Sequence, residues 1–175
     1  MHLFYATRDG QSRRIAERLQ QRLLETGIAA DLADLATERP TLGDCSGPDP
    51  IIVVAAVRYG KHLPEAEHFL AAYCRAPNAP LVLLSVNLTA RKPGKDSAEG
   101  NVYLRKAIQR HGLKPVLARA IAGRLDYASY RWLDRQMIRF IMVLTGGPTD
   151  PQTAIEYTRW DQIDQLAQEI AALRI

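Results

Sequence analysis

At 175 residues, 47% apolar and 24% charged, the chain has the make-up of one soluble globular domain, which excludes collagen-like, low-complexity and disulfide-scaffold classes. A formal net charge of +4 is too mild for a nucleic-acid-binding tail, and it suits an acidic small substrate or an anionic lipid surface equally well. Cys45 and Cys74 lie far apart and form no C-x-x-C motif, and the histidines are scattered, so unpaired thiols in a reducing compartment and no metal site are expected.

In chain order, short apolar runs alternate with stretches of helical periodicity, the pattern of βαβ units around a parallel sheet. Leu3 to Ala6 is the first predicted strand, and its position leaves no room for a secretory leader. A helix follows with Ile15, Leu19 and Leu23 on one face and Gly27 as its C-terminal cap. Ile28 to Leu32 reads as a second strand at an edge, and Thr37 to Pro50 as a connection. Ile51 to Val57 is a β-branched run of the kind a central parallel strand requires. A helix over Glu65 to Cys74, a buried strand over Leu81 to Val86, a helix over Asn101 to His111 and a fifth strand over Pro115 to Ile121 complete the alternation.

The last helix, Asp161 to Leu173, closes the chain. Five strands with crossover helices predict a doubly wound α/β three-layer sandwich over residues 1–175, interrupted by an insertion at about 124–157. That insertion is expected to hold a helix of its own. On it, Tyr130, Leu133, Met137, Ile141 and Leu144 share one face, and Arg131, Arg135 and Arg139 the opposite one. Such a helix either lies on anionic lipid, offers a platform to an amphipathic substrate, or packs on its own domain with solvated arginines. Phe140 to Leu144 is far too short to span a bilayer, which takes about 20 apolar residues.

In open parallel sheets ligands bind beyond the carboxyl ends of the strands. Three segments end strands there. Thr7, Arg8, Asp9, Gly10, Gln11 and Ser12 open the first helix, where backbone N–H groups and two hydroxyls suit a phosphate monoester. Alone, this loop reads equally well as a plain capping turn. Neither G-x-x-x-x-G-K-[ST] nor G-x-G-x-x-G occurs. Arg58, Tyr59 and Gly60 follow the strongest strand, where Tyr59 offers a surface to a flat ring. Ser85, Val86, Asn87 and Leu88 end the next strand and offer an amide and backbone to a ring's polar edge. His62 is the one histidine beside these loops, and it is a candidate proton relay near neutral pH.

The first loop resembles the FMN-phosphate loop of flavodoxins, with Asp9 in place of the usual threonine; a carboxylate there is expected to cap the helix or face outward. A closer resemblance is to the bacterial menaquinone-dependent protoporphyrinogen IX dehydrogenases, which use a flavodoxin-like fold. It rests on Thr7-Arg8-Asp9-Gly10-Gln11, Arg58-Tyr59-Gly60, Ser85-Val86-Asn87-Leu88, Ala90-Arg91-Lys92-Pro93 and Tyr130-Arg131-Trp132. Met137-Ile138 and Gly146-Gly147 before Thr149-Asp150 fit the same pattern, so the resemblance runs the length of the chain. It implies FMN as cofactor, protoporphyrinogen IX as substrate, and six electrons passed in three pairs to menaquinone or ubiquinone. It also implies a bacterial cytoplasmic protein, peripheral on the inner membrane. Lys61, Arg91, Lys92, Arg124 and Arg131 are then candidate partners for the substrate's two propionates. The same fold also serves flavodoxin-type electron carriers, typically acidic where this chain is basic, and nicotinamide-fed quinone reductases.

Overall fold

The alternation of apolar residues along the central strands decides the architecture. In the computed structural model, which describes residues 1–38, 40, 47–77, 79–129 and 132–173, the strands are β1 (His2–Ala6), β2 (Asp31–Asp34), β3 (Ile51–Arg58), β4 (Lys61–His62), β5 (Leu81–Val86) and β6 (Leu117–Ile121). The parallel order is β2-β1-β3-β5-β6, with β4 paired antiparallel to the end of β3. Both faces of the central strands are buried, so successive side chains feed two cores. Leu3, Tyr5, Ile52, Val54, Val82 and Leu84 meet the helices α1 (Gln11–Glu25) and α5 (Trp160–Ala171). Phe4, Val53, Ala55, Leu81 and Leu83 meet α2 (Pro64–Tyr73) and α3 (Val102–His111). The flavodoxin-like doubly wound sheet expected from the sequence is the one observed.

The second strand is displaced from its expected span. The amide of Ile28 bonds to Leu23 O and that of Gly27 to Leu24 O, both at 2.9 Å, the paired bonds of a Schellman motif. Ile28 and Ala30 then bury as a lead-in, and pairing with β1 begins only at His2↔Asp31.

The insertion holds more than a helix. β7 (Arg124–Asp126) and β8 (Ala154–Glu156) pair antiparallel and carry α4 (Trp132–Thr145) between them. Leu125, Tyr127 and Met142 form a small third core, with Leu88, Ile138 and Tyr157 against it, and Tyr127 Oη donates to Pro148 O at 2.7 Å. On α4 it is the arginine-bearing side that docks, which corrects the alternative of a helix packed on its own domain with solvated arginines. Ile138 and Met142 face inward, Arg139 Nε donates to Thr149 O at 3.0 Å, and Arg135 Nε is buried. Arg135 and Arg139 flank the docked face because they lie seven and three residues before Met142, spacings that share one side of a helix. Met137, Ile141 and Leu144 instead join Trp132, Phe140 and Val143 on an exposed apolar face, with Leu144 69% and Trp132 66% exposed. Tyr130 and Arg131 lie outside the described residues, as does Cys45; Cys74 is exposed.

Candidate functional site

Where strand order reverses between β1 and β3, the chain leaves a cleft beyond the carboxyl ends of both strands. A cavity of about 120 Å³ lies there. Asp9, Gln11 and Ser12 form one end, Ala56 to Gly60 one side, and Val86 to Thr89 the other. Tyr103 of α3 and Gly123 add to the wall, and Met137, Ile138 and Ile141 of α4 close it from the insertion.

The first loop is shaped by its own hydrogen bonds. Thr7 Oγ1 accepts from the Gly10 amide at 3.0 Å, and Gly10 enters α1 in the left-handed region at φ 82°. The amides of Gln11, Ser12 and Arg13 then open the helix with no intrahelical acceptor. Gln11 is buried and donates to Glu156 and Thr158, tying the loop to the insertion and to the start of α5. Ser12 is fully buried, and its hydroxyl has no hydrogen-bond partner. An orphaned hydroxyl beside free helix-opening amides is the donor set a phosphate monoester takes. The Asp9 carboxylate does not cap the helix; it sits 3.5 Å from Arg58 Nη2. Arg8 is committed to Glu65 in a two-pronged pair at 2.6 and 3.1 Å, so it stands away from that donor set.

Tyr59 and Gly60 turn β3 into β4 with φ of 50° and 79°, positive at both central positions as in a type I′ hairpin. Tyr59 is the one non-glycine residue with positive φ among the described residues, and it stands 65% exposed at the cavity rim. Backbone strain of this kind concentrates at functional sites.

The opposite wall is held from below. The Asn87 amide caps the short 3-10 turn Leu88–Arg91, accepting from Ala90 N at 3.2 Å, and it pairs with the amide of Asn101. Ser85 lies under Asn87, and His62 under Ser85. His62 is buried below the wall and does not line the cavity; burial, aided by Arg110 and His111 and opposed by Glu67, pushes its pKa down to about 4, so the ring is neutral. Burial alone would raise Glu67, but hydrogen bonds from His111 and Arg110 hold it below the usual glutamate value. Asn101, Glu67 and Tyr103 were not singled out from the sequence. Only Asn101 left a signal there, as the residue before α3 where a side-chain cap belongs.

Arg124 lines the cavity, and its guanidinium pairs with Asp126 at 2.8 Å. Arg91 and Lys92 line a different, larger groove of about 790 Å³ along the outer edge of β6, with Arg119 and Arg159. Arg91 bonds to Leu88 O and lies over the Tyr157 ring, so it braces the turn between cavity and groove. Lys61 is exposed on β4. The cavity, with its orphan donor and strained rim, is the better candidate for a cofactor; in the groove Arg119 and Arg159 already face Glu169 and Asp161.

Residues 2–152 match the family model described as a flavodoxin domain. The chain is 39% identical over 173 residues to "Protoporphyrinogen IX dehydrogenase [quinone]" of Escherichia coli strain K12, covering 98% of this chain and 94% of that one. A protein of the same name from Leishmania major is 34% identical over 181 residues, covering 98% and 74%. Among solved structures, oxidised flavodoxin 1 from Bacillus cereus superposes with a TM-score of 0.59 at 15% identity, covering 98% of this chain and 96% of that one.

Proposed function

Since the chain belongs to the flavodoxin-domain family and, within it, to the quinone-dependent protoporphyrinogen IX dehydrogenases, we propose that it binds FMN, oxidises protoporphyrinogen IX to protoporphyrin IX and delivers the electrons to a quinone. The observation that carries this reading is the 39% identity sustained over 98% of the chain, insertion included. The site's own chemistry agrees with it, because the orphaned Ser12 hydroxyl and the opening amides of α1 fit a flavin phosphate.

When bound, FMN supplies the two-electron chemistry. The chain's residues bind and orient. The opening amides of α1 and the Ser12 hydroxyl, in the loop that Thr7 shapes, would hold the phosphate end, while Arg58 to Gly60 and Val86 to Leu88, with Ser85 beneath, would flank the ring. Met137, Ile138 and Ile141 give the cavity an apolar wall that suits a macrocycle. Arg124 at the cavity is the first candidate for a propionate, with Lys61, Arg91, Lys92 and Arg131 as further cationic partners.

The quinone of this reading is menaquinone or ubiquinone, and both it and the porphyrinogen are lipophilic. Among the described residues no helix is long and apolar enough to cross a membrane. The exposed face of α4 fits a peripheral contact with anionic lipid on the cytoplasmic side: Trp132, Phe140, Val143 and Leu144 are each more than half exposed, and the chain is cationic. Flavin reduction followed anaerobically with protoporphyrinogen, NADH and NADPH in parallel tests the proposal. Reduction by protoporphyrinogen is expected; reduction by a nicotinamide alone would overturn it.

A further inference from the structure

Beneath the cavity wall runs a buried polar chain through Ser85 and Asn87 whose other members, His62 and Asn101, have no part in the reaction described so far. His62 Nε2 and Ser85 Oγ are 2.8 Å apart, and Asn87 Nδ2 is 3.1 Å from the same oxygen. Asn87 Oδ1 accepts from the Ala90 amide at 3.2 Å and from Asn101 Nδ2 at 3.1 Å. Asn101 Oδ1 accepts from the amides of Tyr103 and Leu104, each at 3.2 Å. None of these four side chains belongs to a residue more than 6% exposed.

The direction of every bond follows from elementary donor and acceptor capacity. The backbone amide of Ala90 can only donate, so the Asn87 atom it meets is the carbonyl oxygen. The other end of that carboxamide is then NH₂ and donates to Ser85 Oγ. Ser85 Oγ has two lone pairs and could accept twice, but among the described residues its own proton meets no acceptor other than His62 Nε2, so that nitrogen carries the lone pair. His62 therefore holds its own proton on Nδ1, aimed toward Glu67 Oε1 at 3.9 Å. That oxygen is buried and has no hydrogen bond, while Glu67 Oε2 takes His111 at 2.7 Å and Arg110 at 3.0 Å.

We propose that His62 is a positioning residue: its neutral ring accepts the Ser85 proton and so fixes the Asn87 carboxamide, which holds the Leu88–Arg91 turn, and through Asn101 the start of α3, against the cavity. The inference rests on the reading of that cavity as the FMN site only for its consequence, since Leu88, Thr89 and Tyr103 line it. His62 acts through Ser85 and Asn87 and touches no bound group itself. Protonation would put an N–H where the serine proton points, and that proton would lose its acceptor. The charged and titratable groups facing the ring are Glu67 of α2 and Arg110 and His111 of α3; burial outweighs Glu67, with the two α3 cations adding to it, and keeps the ring neutral through the neutral range.

The test compares His62→Leu, which removes the acceptor, with His62→Gln, which keeps one. Amide hydrogen exchange at Ala90 reads the turn in flavin-free protein, and flavin fluorescence quenching reads the FMN Kd. In His62→Leu, Ala90 exchange is expected to speed by about tenfold and the Kd to rise by about tenfold, the effect of one lost buried hydrogen bond. Gln should recover most of both. Ser85→Ala, which removes one hydroxyl and leaves the packing intact, cuts the same chain and serves if the Leu variant does not fold; where both fold, its effect should not add to that of His62→Leu. Unchanged Ala90 exchange in Ser85→Ala and in any folded His62→Leu overturns the proposal. Wild-type protein that fails to bind FMN overturns the functional reading alone, because Ala90 exchange still reports the chain.

Discussion

Replacing Ser12 by alanine should move stability and cofactor affinity in opposite directions. In the flavin-free protein the hydroxyl is fully buried with no partner, so the fold bears its desolvation cost of about 1–3 kcal/mol. Alanine removes that cost and creates a void of only one oxygen atom. The flavin-free variant should therefore be at least as stable as wild type, with a gain of up to about 2 kcal/mol after the lost packing is counted. In the proposed FMN complex the same hydroxyl would donate to a phosphate oxygen. Losing a hydrogen bond to a charged group costs about 1.5–3 kcal/mol, which is about 10- to 150-fold in Kd. Urea unfolding of the flavin-free proteins and fluorescence titration of FMN measure the two quantities on one pair of samples. A variant less stable than wild type that binds FMN equally well would refute the assignment of this hydroxyl to the phosphate.

Five other expectations follow from the geometry. A Cβ at Gly100 would fall 1.9 Å from the Gly94 carbonyl oxygen, so Gly100→Ala should destabilise by about 3 kcal/mol, seen in the urea midpoint. Changing Phe140, Val143 and Leu144 together to serine should weaken co-sedimentation with anionic liposomes by at least about tenfold while leaving the Tm unchanged, because all three side chains face solvent. Replacing Arg139 by glutamine should instead lower the Tm, since its Nε bonds to Thr149 O and braces the docked side of α4. His62 has a folded pKa of about 4 against an ordinary 6.5, so the unfolded chain binds the extra proton between those values and stability falls as pH drops through that window. His62→Gln should flatten this part of the stability–pH curve. Asp164 is held well below the usual carboxylate range by hydrogen bonds from Arg18 and Arg22, so its contribution is present above its unfolded value near 3.8 and is lost as pH falls further; Asp164→Asn should lower the Tm at pH 7 and not at strongly acid pH.

The parallel strands were legible because burial on both faces demands continuous β-branched and aliphatic runs, as in Ile51 to Val57. The cavity loops were legible for a related reason, since strand ends mark where such sheets bind. Polar partnership at long range was not. That Gln11 would reach Glu156 and Thr158, or that Asn87 would meet Asn101, depends on elements more than ten residues apart being folded together. The β7–β8 hairpin escaped for want of length: three residues per strand carry too short an alternation to read. The orientation of α4 escaped because its apolar residues spread over most of the helix circumference. Periodicity alone therefore could not say that Met142 docks and Leu144 faces out. His62 illustrates the same limit, since closeness in sequence to a cavity loop placed it near the site and said nothing of its depth.

The most direct measurement is anaerobic turnover. FMN-loaded protein is mixed with protoporphyrinogen IX and a soluble menaquinone analogue, and porphyrin fluorescence is followed against flavin-free protein. Porphyrin formation that requires both the flavin and the quinone is the predicted result. Tight FMN binding without flavin-dependent porphyrin formation would contradict the dehydrogenase assignment and leave a flavodoxin-like protein with a different electron donor.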